Sequence, residues 1–585
     1  MKLTTPVRRV LRSQRLGLLG LSFAVGIGAG LGAVLFRYLI RGLTRLFTGY
    51  ADYAAHPGAA NPNFPGLGRW FVLFTPIVAG LIYGPLVQRF ASEARGHGVP
   101  EVMLAVARKG GRIRPQVAVV KALASALCIG GGGSVGREGP IVQIGSALGS
   151  SLAQLCRLDE RRIRLLLACG AAGGIAATFN APLAGVFFAL ELILRHWAAE
   201  SFGMLVISSV TASVIARSII GDTPFLTLPA FGVHHLIEYP LYALLGLIAG
   251  LVGVAFSRIL YLIEDACDWA WRGPEWLRPG VGGVLLGTVL LVLPQMYGVG
   301  YPVLGNAVAG TYALGFLVVL LIGKVIACSL TIGIGGSGGV FAPSLFCGAM
   351  LGAAFGEIVT MISPEVGSVG AFALVGMGAV FAGSARAPIT AVVIMFELTG
   401  EYSIILPLML AIVLATGLSH LISHDTIYTR KLLRRGIDID EPADAAAARR
   451  PISEVMGPVP RPLPLDADLT SAASIFAASG VSSLPVVDPD QRYTGVLTAH
   501  ELMSAIAADE DTDLLALCSP VPPVRPDDPL TDAVHRLDQG ADAVPVTDDS
   551  DHLLGWVRHA DVLTALNPRL RRGDPTRTPP AGEPH

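Results

Sequence analysis

The sequence is poor in charge. Only 15% of its 585 residues are Asp, Glu, Lys or Arg, whereas an ordinary soluble domain carries about 25%. Its seven cysteines form no metal-ligand spacing such as C-x-x-C, and we find no catalytic Ser/His/Asp set and no phosphate-binding loop. We therefore predict that the protein is not an enzyme, holds no metal and has no nucleic-acid partner.

Long apolar stretches take the place of the missing charge. Hydrophobic residues make up 52% of the chain, and residues 16–36 carry no charge over a length that can cross a bilayer core of roughly 30 Å. The pattern predicts an all-α polytopic membrane protein whose membrane domain covers residues 16–436. Further apolar stretches start near Phe71, Ile163, Met204, Tyr242, Val281, Phe316, Phe372 and Ile405.

Basic clusters stand at both ends of this domain. Residues 1–15 contain Lys and Arg but no acid, and residues 430–435 contain four basic side chains. Since excess Lys and Arg mark the cytoplasmic side of a membrane, we expect a multi-pass protein of the cell membrane with both termini in the cytoplasm. The first apolar run is too long for a cleaved signal peptide, and Arg37, Arg41 and Arg45 follow it, so we expect a retained first helix.

The membrane domain is duplicated. Residues 121–149 and 324–352 align without a gap, and 13 of the 29 positions are identical. The flanks repeat as well: GHGVP at 96–100 matches GVGYP at 298–302, and a later pair of helices matches Glu191 with Glu397. We predict two halves, at about 16–220 and 240–436, of the kind found in secondary transporters.

Three segments combine a glycine-rich break with a proline at the start of an apolar helix: GHGVP at 96–100, GREGP at 136–140 and GVFAP at 339–343. A helix that begins inside the membrane points free N–H groups and a partial positive charge at any anion there. Together the segments predict an anion site made of helix N-termini. The motif residues are Gly96, Gly98, Pro100, Gly136, Arg137, Pro140, Gly339 and Pro343.

These segments, in this order and followed by a tyrosine in HDTIYTRKLLRRG, resemble the CLC family of chloride channels and proton–chloride exchangers. The resemblance covers roughly residues 15–436. It implies inverted halves with broken helices, and a homodimer in a lipid bilayer with one chloride pathway per subunit. It also implies that Glu138 is a gate that competes with chloride. The implied chloride-binding residues are His97, Gly139, Val340, Phe341 and Tyr428.

Two positions depart from the family pattern. His97 stands where the family has Ser; it can donate a hydrogen bond when neutral or charged, which leaves selectivity open and predicts tighter chloride binding below about pH 6.5. Leu192 stands where proton-coupled members commonly have a second Glu. We therefore expect a passive channel slightly ahead of a proton-coupled antiporter, although some exchangers also lack this acid.

Other buried charges occur as mirror pairs. Glu191 pairs with Glu397, and Lys121 pairs with Lys324. A duplicated charge is better explained by a structural role, so we expect these residues at helix ends or between helices. Two other classes of protein fit the sequence less well. A divalent-cation transporter would need more acids facing a pore, and a membrane sensor would not need the three glycine–proline segments.

A second duplication follows the linker at 437–451. Residues 452–507 and 515–566 resemble a tandem pair of α/β CBS domains, and the tail at 567–585 is predicted to be disordered. Such pairs often bind adenine nucleotides through a Ser/Thr three residues before an Asp. Thr498 with Glu501, and Arg558 with Asp561, match this pattern imperfectly. We expect no cofactor, and leave an adenine nucleotide at this pair open.

Overall fold

The computed structural model describes residues 15–221, 235–400, 402–439, 450–508 and 513–566. The chain divides into two compact units, residues 1–438 and 439–585. The predictions for the N-terminal 14 residues, for most of the linker and for the tail at 567–585 lie outside the described residues.

All regular secondary-structure elements in the described part of the first unit are helices, which confirms the all-α membrane prediction. Eight of its described helices are long and apolar enough to cross a membrane. The helices are α1 Arg15–Thr48, α2 Phe71–Phe90, α3 Val99–Arg108, α4 Gln116–Gly130, α5 Glu138–Leu155, α6 Glu160–Phe179, α7 Pro182–Phe188, α8 Ala199–Ile220, α9 Glu238–Ala270, α10 Arg278–Val292, α11 Tyr301–Val308, α12 Leu314–Gly333, α13 Phe341–Ile362, α14 Val369–Ala385, α15 Pro388–Thr399, α16 Ile405–Ile422 and α17 Thr429–Leu433.

The first helix is longer than the uncharged run that it contains. The uncharged run ends at Phe36, but α1 continues through Arg37, Arg41 and Arg45 to Thr48. Arginine is a good helix former, and its long stem can cover apolar surface while the guanidinium reaches water, so the change from apolar to charged residues does not stop the helix. Three arginines therefore lie on the last turns of α1.

Several helices are too short to cross a bilayer. Helix α3 has 10 residues and α11 has 8, which at 1.5 Å per residue span only about 15 Å and 12 Å. Both begin at a glycine with positive φ followed by an X-Pro pair, where proline loses no intrahelical hydrogen bond. Each of these two helices therefore begins at a glycine–proline break and is too short to span the membrane alone.

The two halves bond to each other reciprocally. The Gly136 amide donates to the Gly339 carbonyl at 2.7 Å, and the Gly339 amide donates to the Gly136 carbonyl at 2.6 Å. Such an exchange has two-fold symmetry, because each residue plays both roles. It fits the duplicated, inverted-repeat architecture, in which the broken helices of both halves meet at the centre.

The second unit is an α/β pair, as predicted. Each copy runs helix, strand, turn, strand, helix, and in each copy the two strands pair antiparallel. Val496 of the first copy packs with Ala543 and Trp556 of the second, which joins the two copies in one small core. The elements are β1 Leu463–Pro464, α18 Leu469–Ser479, β2 Ser483–Val487, β3 Tyr493–Thr498, α19 Ala499–Ala507, α20 Leu514–Leu517, α21 Leu530–Asp538, β4 Ala543–Thr547, β5 Leu553–Arg558 and α22 His559–Leu566.

Candidate anion site

The three glycine–proline segments, far apart in the sequence, meet through their backbones. The Gly96 amide donates to the Gly336 carbonyl at 3.0 Å, and the Gly338 amide donates to the Gly96 carbonyl at 3.3 Å. Together with the reciprocal pair between Gly136 and Gly339, these bonds bring the starts of α3, α5 and α13 to one place.

All three helix starts are buried and lack a side-chain cap. The N-cap residues are Gly98, Arg137 and Val340, and none of them accepts a hydrogen bond from its helix through a side chain. Because the first N–H groups of a helix have no intrahelical partner, a buried uncapped start needs another acceptor. Three such starts around one point form a site of positive potential for a small anion.

Close backbone approach explains the glycine at position 139. A Cβ atom there would overlap the His97 carbonyl and would lie 3.0 Å from Cα of Gly339. Gly98, at φ +82°, has the left-handed backbone conformation that side chains disfavour. The predicted chloride contacts at Gly139 and Val340 can therefore only come from the main chain.

The Glu138 side chain is buried at the first position of α5, with 1% of its surface exposed. Its Oε1 accepts a hydrogen bond from the Tyr301 hydroxyl at 2.5 Å. The carboxylate also faces the backbone N–H of Ala342, at the start of α13. A negative group thus already lies among the helix N-termini, where an anion would be stabilised.

Tyr301 was missed as a site residue in the sequence analysis. It belongs to GVGYP at 298–302, the mirror of GHGVP, so the repeat itself was the signal that a fourth broken helix points at the centre. The Arg137 guanidinium lies over the Tyr301 ring, 5.1 Å from its centroid. The Glu138 carboxylate and the neighbouring Arg137 therefore both contact this tyrosine.

His97 is completely buried, and neither ring nitrogen has a hydrogen-bond partner among the described residues. Its ring lies 6.0 Å from the Tyr261 ring. The Lys121 ammonium bonds to the Gly96 carbonyl, and the Lys431 ammonium lies against Gly96 from another element. These cations oppose a further charge on the imidazole, so His97 is suited to donate a hydrogen bond as a neutral ring.

Phe341 and Tyr428, two of the predicted chloride contacts, have different surroundings. The Phe341 ring packs on Phe381, at 4.4 Å between centroids, so only its backbone N–H can serve an anion. Tyr428 is buried, with 1% of its surface exposed. The Tyr261 hydroxyl donates to the Ile427 carbonyl at 2.7 Å and holds the backbone beside Tyr428.

The mirrored lysines hold the loops that precede α3 and α11. Lys121 Nζ donates to the Ala94 carbonyl at 2.9 Å and to the Gly96 carbonyl at 2.7 Å. Lys324 Nζ donates to the Gly298 and Val299 carbonyls at 3.2 Å and 3.0 Å. Both ammonium groups are fully buried, and both act on backbone carbonyls at equivalent places in the two halves.

The mirrored glutamates cap helices of the opposite half. Glu191 accepts from the amides of Ile389 and Thr390 at 3.1 Å and 2.8 Å. Glu397 accepts from the amides of Leu183 and Ala184 at 2.9 Å and 2.7 Å. Both carboxylates are thus engaged at helix starts, and Leu192, next to Glu191 in the chain, is buried.

The expected nucleotide contacts of the CBS pair are engaged with each other. The Thr498 hydroxyl and the Glu501 carboxylate form a capping box at the start of α19. The Arg558 guanidinium donates to both carboxylate oxygens of Asp561, at 3.0 Å and 3.2 Å, and this hydrogen-bonded acid raises the pKa of Arg558. A ribose would have to displace these contacts.

A duplicated helical bundle with four broken helices pointing at a buried carboxylate defines a membrane protein that transports small anions. The family model described as voltage gated chloride channel matches residues 79–420, and the CBS domain model matches residues 452–508 and 513–568. The chain belongs to the CLC family of chloride channels and proton–chloride exchangers, and it carries a tandem CBS pair.

Similar proteins include exchangers and channels by name. The chain is 36% identical over 375 residues to the H(+)/Cl(-) exchange transporter ClcA of Vibrio parahaemolyticus, covering 62% of this chain and 79% of that protein. It is 32% identical over 428 residues to the putative chloride channel protein ClcB-like of Ralstonia nicotianae, covering 72% and 98%.

Solved structures share the fold. A slow cyanobacterial Cl-/H+ antiporter has a TM-score of 0.65 and 25% identity, covering 72% of this chain and 98% of that one. A eukaryotic CLC transporter has a TM-score of 0.62 and 22% identity, covering 93% and 97%. The second likeness concerns the fold alone, and it extends over most of the present chain.

Proposed function

We propose that the protein exchanges chloride for protons across a cell membrane, with Glu138 as the gate for both ions. One observation carries the proposal: the buried Glu138 carboxylate lies where the uncapped starts of α3, α5 and α13 meet. A carboxylate in that position takes the place of an anion. It must move away, and does so more readily once protonated, before chloride can pass.

The relatives named as exchangers support coupling to protons over the passive channel that Leu192 favoured. The passive channel remains the second candidate, because Leu192 supplies no acid and Glu191 is engaged with the start of α15. A divalent-cation pathway fits less well. Of the three membrane acids weighed for it, Glu191 and Glu397 are occupied as caps of α15 and α7, and Glu138 lies where the starts of α3, α5 and α13 meet.

The remaining parts of the proposal follow the family pattern. We propose a homodimer with one pathway per subunit, cytoplasmic termini and no enzymatic step. The central anion would contact His97, Tyr428 and the main chain at Phe341. We assign the CBS pair a regulatory or assembly role without a bound nucleotide, because Thr498 and Asp561 already have partners.

The test uses purified protein in liposomes loaded with chloride. Chloride efflux and proton uptake are recorded together, and an exchanger moves protons against their gradient whereas a channel does not. Glu138→Gln should keep chloride flux, lose proton uptake and lose most of its pH dependence. Glu365→Gln, at an exposed acid, is the control and should match the wild type. Unchanged pH dependence in Glu138→Gln would falsify the gate assignment.

A further inference from the structure

A cavity of about 550 Å³ lies in front of the gate. Tyr301 and Arg137, which contact Glu138 or adjoin it, form part of its wall. The last turns of α1 and the end of α8 form another part. The cavity therefore connects the neighbourhood of the gate carboxylate with the ends of two membrane helices.

The charge of the described cavity wall is strongly one-sided. Four arginines line it, Arg37, Arg41, Arg137 and Arg217, against one acid, Asp52. Asp52 has a structural task of its own, because its carboxylate caps the short helix Tyr53–Ala55 by accepting from the Ala54 amide at 3.1 Å. The described wall carries a net charge of 4 − 1 = +3.

Two of these guanidinium groups each have one N–H donor without a hydrogen-bond partner. The Nε atoms of Arg37 and Arg137 are buried and have no hydrogen-bond partner among the described residues. A buried donor without a partner is unfavourable, so an acceptor that enters the cavity would recover that loss. Arg217 differs, because it bonds to the side chain of Asn180.

The side of the membrane on which the cavity lies gives a second reason to assign these arginines a function. If α1 starts in the cytoplasm, as proposed, its last turns and the cavity lie outside. Lys and Arg are least frequent in loops on that side. Arginines concentrated in an outer cavity therefore call for a local reason.

We propose that this cavity is an outer anion-holding site, in which Arg37 and Arg41 concentrate the transported anion before it reaches the gate. The proposal rests on the proposed function for the identity of the ion and for the orientation. Two unit charges within roughly 7 Å of an anion, in a water-filled and salt-screened cavity, change its local affinity about three- to tenfold. Their removal acts on capture and leaves the gate intact.

The test compares Arg37→Gln/Arg41→Gln with Arg45→Gln. Arg45 lies on the same helix, one turn further on, but does not line the cavity. Uptake of radiolabelled chloride into right-side-out membrane vesicles is measured against external chloride, at constant ionic strength with an impermeant anion. The double variant should raise the half-saturating chloride concentration three- to tenfold and keep the maximal rate within twofold. The control should match the wild type.

Two further measurements separate the possible causes. Arg37→Lys/Arg41→Lys keeps both charges and should stay within twofold of the wild type, which distinguishes loss of charge from misfolding. Chloride titration of the purified protein should show weakened binding in the Gln pair whether or not the protein transports chloride. An unchanged half-saturation and unchanged titration in the Gln pair, or an equal shift in Arg45→Gln, overturns the proposal. Failure of the proposed function would instead appear as absent chloride flux in the wild type.

Discussion

Replacing Tyr301 with Phe should release the gate. The Tyr301 hydroxyl donates to Glu138 Oε1 at 2.5 Å in a buried site, and a hydrogen bond to a charged group contributes about 1.5–3 kcal/mol. Phe keeps the ring under Arg137 and removes only the donor. The population of the displaced form of the carboxylate should rise about 10- to 150-fold relative to that of the bound form.

Chloride flux through Tyr301→Phe should therefore rise at neutral pH, until another step limits it. Because the lost donor favoured the charged carboxylate, acid activation of flux should also begin about one to two pH units higher than in the wild type. The assay is chloride efflux from liposomes between pH 4.5 and 7.5.

Tyr297→Phe is the matched control. Tyr297 lies four residues before Tyr301 and is buried, but its hydroxyl donates to the Gly130 carbonyl at 2.7 Å and not to the gate. Loss of this hydrogen bond should lower the stability of the protein and leave the pH dependence of chloride flux unchanged. On a Glu138→Gln background, Tyr301→Phe should add little, because contacting groups are not additive. A wild-type pH profile in Tyr301→Phe, or the same shift in Tyr297→Phe, would refute the reasoning.

Three further outcomes are expected. On a Glu138→Gln background, His97→Ser should change the chloride affinity measured by calorimetry but not the pH dependence of that affinity between pH 5 and 8, because the cations beside Gly96 oppose the charged imidazole on which the tighter binding below pH 6.5 depends; a pH dependence that disappears in His97→Ser would instead show a titrating imidazole. Thr498→Ala removes a capping box and should cost the CBS unit about 1 kcal/mol of stability in chemical unfolding, while millimolar adenine nucleotides should not raise its melting temperature. Deleting residues from 450 onward should leave measurable chloride flux in correctly inserted protein, because every motif of the anion site precedes that point; complete loss would contradict the assignment.

The glycine–proline segments were readable from the sequence because backbone constraints are local. A glycine at positive φ and a proline in the first turn describe a helix start wherever the rest of the chain lies. Repetition of the segments predicted that they belong to one duplicated body. The reciprocal bonds between Gly136 and Gly339 are the geometric expression of that repeat.

Contacts between distant side chains were not readable in the same way. Tyr301 is 163 residues from Glu138, and nothing in the letters GVGYP says where its hydroxyl points once the helices pack. Hydropathy alone could not give the end of α1, because hydropathy marks where the uncharged run ends, whereas a helix continues as long as its residues favour it. The pairing of Glu191 with Glu397 predicted a structural role, but not that each caps the other half.

The exchange of caps between the halves has a consequence for biosynthesis. Glu191 accepts from amides that follow it by 198 and 199 residues, so at about 5–20 residues per second its partners are made roughly 10–40 s later. Until then, the first half has a carboxylate and a helix start in the membrane layer, and both lack the hydrogen-bond partners that the second half supplies. We expect the N-terminal half expressed alone to be degraded. Co-expression with the C-terminal half as a separate chain should protect it.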